Sequence, residues 1–247
     1  MTRLTIASLN TRGVPLFSSD LRSRYLTIAK AFETSDADVV NLQEVLTYYH
    51  LHLLRSSMPS YRANFRPSAA GPAGGLVTFS RLPVTTTNYR RLTAVLKGAL
   101  VTRLADVTIV NTHLSANRDG DWSPTSRYYD MHQSQLTALA RYVGTAEQPA
   151  VVCGDFNVAR DSSLYRDFIR DSGLTDAFGD ACPPTFHQAF LGPGQTPHCI
   201  DYVLLSGQIT VESTDLTFTN KLGETYASDH LGLQVRLNLD GLRRTAR

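Results

Sequence analysis

Asparagine, acid and histidine side chains recur at or just beyond the apolar runs of this chain: Asn10, Glu44, Asn111 with His113, Asp155 with Asn157, Asp201, and Asp229 with His230. Carboxylate and carboxamide oxygens are hard donors that suit a divalent cation, and imidazole is the side chain that moves a proton near neutral pH. Each residue also has a plain reading. Asn10 reads equally as a turn residue, Glu44 as an acid complementing a helix dipole, and Asp155 and Asp229 as loop acids. Their repetition after strand upon strand is the signal, because strands that point these ends the same way gather them on one rim.

The elements that must position them follow from hydrophobic spacing. Leu4–Leu9 reads as a strand feeding the loop Asn10–Gly13. Leu21, Tyr25, Ile28, Ala29 and Phe32 fall at helical spacing, with Asp20 placed to cap the start. Val39–Leu42 is a short strand ending at Gln43-Glu44, and a helix through Tyr48, His52 and Arg55 stops before Pro59. Ser68–Gly75 is a Gly/Pro-rich loop, followed by strand-like runs at Gly75–Phe79, Ala94–Leu104 and Val107–Asn111. Asn117–Tyr129 is a long polar loop that carries Trp122, Tyr128 and Tyr129. A helix over Met131–Val143, a strand over Ala150–Cys153 and a helix around Leu164, Phe168 and Ile169 come next. Ile200–Leu205 and Leu231–Leu237 close the chain, with the loop Leu222–Ser228 before the second of them. Strands dominate and helices are interspersed, which predicts an α/β sandwich: two mixed sheets face to face with helices outside, in a single domain over 1–247.

Composition agrees with a sizeable core. A chain of 247 residues, 42% of them hydrophobic, buries about 70–75% of its extended surface. The net charge of +2 argues against a general polyanion trap, though a local phosphate site needs no large charge. Three cysteines make no disulfide scaffold: Cys153 reads as a buried small hydrophobe, and Cys182 and Cys199 pair only if their backbones approach. The N-terminus is too polar for a signal-peptide core, and no run is long enough to span a membrane. A soluble cytoplasmic monomer is the default expectation, or a secreted one if a leader has been removed.

The ordered pieces Leu9-Asn10, Leu42-Gln43-Glu44-Val45, Asn111-Thr112-His113-Leu114, Gly154-Asp155-Phe156-Asn157, Ile200-Asp201-Tyr202-Val203-Leu204 and Ser228-Asp229-His230-Leu231-Gly232 span nearly the whole chain. Together they resemble the endonuclease/exonuclease/phosphatase superfamily of metal-dependent phosphoesterases. That resemblance implies a four-layer α/β sandwich and hydrolysis of a phosphoric ester with Mg²⁺, or Mn²⁺, as cofactor. Such chemistry needs charge neutralisation, an activated water and a stabilised leaving group. The resemblance assigns the cation to Glu44 with Asn10 beside it and Asp229 as a second position. His230 is the general base, and Asp201 fixes its tautomer. Asp155, Asn157 and His113 act on water and phosphoryl oxygens, and Arg12, Lys97 and Asn111 bind the substrate phosphate.

For the substrate, Asn10-Thr11-Arg12-Gly13-Val14-Pro15, Phe79-Ser80-Arg81-Leu82-Pro83 followed by Lys97-Gly98, and Gln135 are similar to neutral sphingomyelinases, with His132 where their arginine stands. The expected substrate is therefore a sphingomyelin-like or other small phosphodiester. The alternative is DNA or RNA, held by a basic border of Arg12, Arg22, Arg24, Arg81, Arg90, Arg91 and Lys97.

Overall fold

The computed structural model describes residues 3–14, 20–93, 97–207, 209–221 and 225–243. Pro15, the start of the Ala94–Leu104 run, the first part of the Leu222–Ser228 loop and the basic tail from 244 to 247 lie outside them.

Among the described residues twelve strands form two six-stranded sheets. The first runs β11 (Thr210–Thr217), β12 (Gly232–Asn238), β1 (Arg3–Asn10), β2 (Val39–Gln43), β4 (Val77–Ser80), β3 (Arg62–Asn64). The second runs β5 (Thr86–Arg91), β6 (Gly98–Arg103), β7 (Thr108–His113), β8 (Ala150–Asp155), β10 (Asp201–Leu205), β9 (Thr175–Asp176). Each sheet is antiparallel except for one central parallel pair, β1 with β2 and β7 with β8. Helices α1 (Leu21–Thr34) and α2 (Tyr48–Ser57) pack on each other, as do α3 (Tyr129–Gly144) and α4 (Ser163–Ser172).

Three apolar clusters hold the four layers together. Leu4, Ile6, Val39, Ile109, Val151, Val203 and Val235 fill the space between the sheets. Tyr25, Ile28, Phe32 and Leu54 of α1 and α2 pack on Val40, Leu42 and Phe79 of the first sheet. Leu136, Leu139 and Phe168 of α3 and α4 cover Val110, Val152 and Leu204 of the second. The inner strands are consequently buried on both faces, and β2, β7 and β8 are buried along their whole length.

Helix starts differ from expectation at one point. Thr47 and Ser162 cap α2 and α4 by accepting from His50 N–H and Tyr165 N–H. Asp20 stands before α1 but makes no side-chain cap; its backbone is left-handed, where a capping residue is ordinarily extended.

Pairing register brings the functional ends to one rim. His113 lies opposite Asp155 at the ends of β7 and β8, and Asp155 lies opposite Asp201 at the start of β10. In the other sheet Asn10 lies opposite Gln43 at the ends of β1 and β2, and β12 begins beside them, just after His230.

Candidate active site

The Asp155 carboxylate, 1% exposed, is the hub of the rim. Its Oδ2 accepts from Asn10 Nδ2 at 2.9 Å and lies 3.4 Å from His113 Nε2 and 3.8 Å from His230 Nε2. Its Oδ1 accepts from the backbone N–H of Asn157 at 2.9 Å. Asn10 therefore ties the two sheets together at the site, its Nδ2 reaching on to Glu44 Oε1 at 3.4 Å. Its Oδ1 is occupied by the Arg12 N–H at 3.0 Å.

Glu44 follows β2 in a left-handed backbone conformation, φ 61°, a strained setting for a glutamate. The surroundings enforce it. The Tyr25 hydroxyl donates to the Glu44 carbonyl at 3.0 Å, and the Gly13 N–H donates to Oε2 at 2.8 Å. A Cβ at residue 13 would fall 1.8 Å from the Glu44 carbonyl oxygen, so only glycine lets the β1 loop approach.

On the other flank, Asp201 Oδ2 accepts from His230 Nδ1 at 2.8 Å. Thr185 Oγ1 steadies that carboxylate's backbone by accepting from the N–H groups of Ile200 and Asp201. Phe186 packs edge-on against the His230 ring at 5.0 Å. Asp229 lies beside it, 4.0 Å from His230 Nε2 and 3.6 Å from the Arg12 Nε.

Electrostatics separate the two histidines. Burial, helped by Lys97 and His230, holds the His113 imidazolium well below its usual pKa, so this ring is neutral. Burial would also lower His230, but the charges of Asp201, Asp155 and Asp229 outweigh it and raise that ring well above the usual value. Burial pushes the Asp155 carboxyl up to about 7 against the pull of His230. Burial lowers Lys97 while Asp155 and Glu44 draw it back.

A buried carboxylate held above its ordinary range is a site short of positive charge, which fits a divalent cation. Asp155, Asp201 and His230 each offer a ligand atom, all within 4.8 Å of one another, so they can hold such a cation. Glu44 adds a carboxylate facing the adjoining cavity.

Not every expected residue faces this space. Asn111, 0% exposed, donates to the carbonyls of Leu42 and Val77 and accepts from Gln43 Nε2, so it clamps one sheet to the other. The expected basic border is assembled only in part. Arg24 is buried with its guanidinium on the carbonyls of Thr11, Arg12 and Ala227. Arg81 is spent on the carbonyls of Glu33 and Ser35, and Arg90 lies toward Tyr142 of α3. Arg12, Arg91 and Lys97 remain near the site. Trp122 is tucked back, donating from Nε1 to the Asn157 carbonyl. His132 donates from Nε2 to the Ser115 carbonyl, while Gln135 brackets Ser115 through its N–H and hydroxyl; both support the loop after His113. Arg24, Tyr25 and Thr185 were not anticipated as supports, because only the tertiary fold sets them against the site.

This arrangement sets a carboxylate–imidazole cluster able to hold a divalent cation at the shared rim of two sheets. The chain belongs to the Endonuclease/Exonuclease/phosphatase family, whose model matches residues 7–230. It is 28% identical over 183 residues to protein angel homolog 2 of Danio rerio, covering 63% of this chain and 31% of that protein. It is 26% identical over 233 residues to nocturnin of Homo sapiens, covering 79% and 53%. The chain thus spans between about a third and a half of the length of these curated relatives. Among solved structures, D. rerio TDP2 complexed with a single-strand DNA product superposes with a TM-score of 0.78 at 19% identity, covering 96% of this chain and 99% of that one. SmcL superposes with a TM-score of 0.70 at 16% identity, covering 96% and 99%. At these identities the likeness is one of fold. Several of the superposed structures are TDP2 and one is SmcL, so likeness of fold does not single out the neutral-sphingomyelinase branch expected from residues 10–15 and 97–98.

Proposed function

We propose that the chain is a Mg²⁺-dependent phosphodiesterase acting on nucleotide esters of the DNA or RNA type. The observation that carries the reading is the continuous set Glu44–Asn10–Asp155–His230–Asp201 around one carboxylate hub, which supports a cation-binding role for Glu44 and a base role for His230. Glu44, with Asp155 joined to it through Asn10, would hold the cation; these are oxygen donors, which suit Mg²⁺ or Mn²⁺. When bound, the cation supplies charge neutralisation to the phosphoryl oxygens. His230 takes the proton of the attacking water at Nε2, and Asp201 keeps Nδ1 protonated and the ring in place. Neutral His113 donates from Nε2 to a phosphoryl oxygen, and Lys97 adds positive charge on the same side.

The nucleotide substrate is supported by the TDP2 structure solved with single-strand DNA product. No helix among the described residues is long and apolar enough to cross a membrane. The test is a panel of single-stranded DNA, RNA, sphingomyelin and bis-p-nitrophenyl phosphate, each with Mg²⁺ and with EDTA. We expect turnover of the nucleic acids and the synthetic diester, lost with EDTA and in His230→Ala. Turnover of sphingomyelin alone would overturn the substrate, and chelator-resistant turnover would overturn the metal.

A further inference from the structure

A cavity of about 540 Å³ adjoins Glu44, Lys97 and His113, more space than a single scissile phosphate fills. Leu46, Pro72 and Tyr89 give it apolar walls, and Arg66 and Arg91 stand at its edge. Glu44 is the only acid among the described residues that line it, against three cationic side chains. Tyr89 is seated on bare backbone: a Cβ at Gly74, which has positive φ, would fall 2.7 Å from its hydroxyl. The chemistry of the cavity is therefore that of an anion joined to an apolar or planar body.

Its position relative to the reacting groups says which part of the substrate it receives. His113 lines it, whereas His230, Asp201 and Asn157 do not. Asp155 stands between the two histidines, 3.4 Å from His113 Nε2 and 3.8 Å from His230 Nε2. In an in-line displacement the leaving oxygen lies opposite the attacking water. With water activated at His230, the leaving group exits on the His113 side, into this cavity.

We propose that the cavity is the leaving-group site and selects an alcohol that carries a second phosphate, as a nucleotide does, with Arg66 and Arg91 holding that phosphate. The inference rests on the phosphodiesterase reading and names the leaving half of its substrate. The water oxygen bonds to phosphorus and gives its proton to His230. The bond from phosphorus to the leaving oxygen breaks, and that oxygen keeps the electron pair and takes a proton from solvent. His230 returns its own proton to solvent. Two guanidinium forks match a phosphate better than point charges would, and the apolar wall receives sugar and base.

The experiment compares kcat/KM for the thymidine dinucleotides TpT, pTpT and TpTp in the wild type, Arg66→Ala and Arg91→Ala. Both arginines are exposed, so the variants fold. We expect one phosphorylated dinucleotide to exceed TpT by at least about tenfold, with that ratio falling to within about threefold in each variant, because one charge-assisted phosphate contact is worth roughly that factor. A wild-type ratio near one, or a ratio unmoved in both variants, overturns the proposal. A second arm measures calorimetric binding of thymidine 3′,5′-bisphosphate against thymidine 5′-monophosphate, which needs no turnover. If no dinucleotide is cleaved, an arginine-dependent preference for the bisphosphate sustains the cavity while refuting the phosphodiesterase reading. Equal binding of the two overturns the cavity.

Discussion

Two groups of side chains could govern the cation, and a pair of substitutions separates them. Glu44→Gln removes a carboxylate while keeping an oxygen for the Gly13 N–H, so the loop geometry survives. If Glu44 is a direct ligand, its loss exceeds the roughly 10–100-fold that removal of a supporting group costs in metal affinity. We expect the Mg²⁺ concentration for half-maximal rate to rise at least about 100-fold. Asp201→Asn acts differently. Asp201 Oδ2 is committed to His230 Nδ1 at 2.8 Å, and the two form a charge-neutral pair when the ring is protonated. In this assignment Asp201 gives its oxygen to the ring and none to the cation, so half-saturation by Mg²⁺ moves less than about threefold. What is lost is a charge-assisted hydrogen bond to the imidazolium that forms in the transition state, worth about 1.5–3 kcal/mol. That predicts a fall in kcat of about 10–150-fold. The sign of the pH effect follows from the same contact. Asp201 helps hold His230 above its usual pKa, so its removal lowers that pKa and shifts the acid limb of the rate profile to lower pH. Initial rates on bis-p-nitrophenyl phosphate, titrated with Mg²⁺ and then with pH at saturating Mg²⁺, read all three quantities. An Asp201→Asn enzyme that loses Mg²⁺ affinity as severely as Glu44→Gln, with its acid limb unmoved, would show that Asp201 ligates the cation and would refute the assignment.

Three other outcomes follow from residues away from the reacting atoms. His132 is buried and held below its usual pKa by that burial, so the unfolded chain takes up a proton below about pH 6.5 that the folded chain refuses. Stability therefore falls as pH drops below about 6.5, by up to roughly 1.4 kcal/mol per pH unit for such a group; His132→Gln should flatten the slope in urea titrations at pH 7 and 5.5, and an equal slope refutes it. Asn111→Ala strands buried polar groups on Gln43 and two carbonyls and should cost about 2–4 kcal/mol in urea unfolding; a loss under about 0.5 kcal/mol would show that the inter-sheet clamp is not needed. The sulfurs of Cys182 and Cys199 lie 2.8 Å apart, whereas burial pushes the Cys153 thiol up to about 12. Diamide should remove two titratable thiols and leave Cys153, with a 2 Da loss in mass, and retention of all three would refute the pairing.

The elements legible in the sequence and those that were not divide along a physical line. β1, β2, β4, β6, β7, β8, β10 and β12 lie inside their sheets, and burial on both faces leaves apolar runs that announce a strand. The strands with no such announcement are β3, β5, β9 and β11, and these are the four edges. Thr86–Arg91 and Thr210–Thr217 are polar or charged along most of their length and owe their conformation to a neighbour's hydrogen bonds rather than to their own burial. The site divides in a similar way. Residue type and position at a strand end identify Asp155, His113, Asp201 and His230, because the register of parallel and antiparallel pairs forces those ends to one rim. The same criteria select Asn111, which sits two residues before His113 on the same strand and the same face. What distinguishes them is depth. His113 is at the last rung, where Asp155 and the cavity meet it, while Asn111 is one pleat further in, where the opposite sheet closes over it and shares three hydrogen bonds with it. Arg24 makes the complementary point: helical spacing puts a cation on α1, and only the loop that folds across it turns that charge into a backbone clamp beneath Glu44's neighbours. Strand-end chemistry is thus readable from one chain, but whether a polar side chain serves the substrate or the other sheet depends on a single pleat of register, which local sequence does not encode.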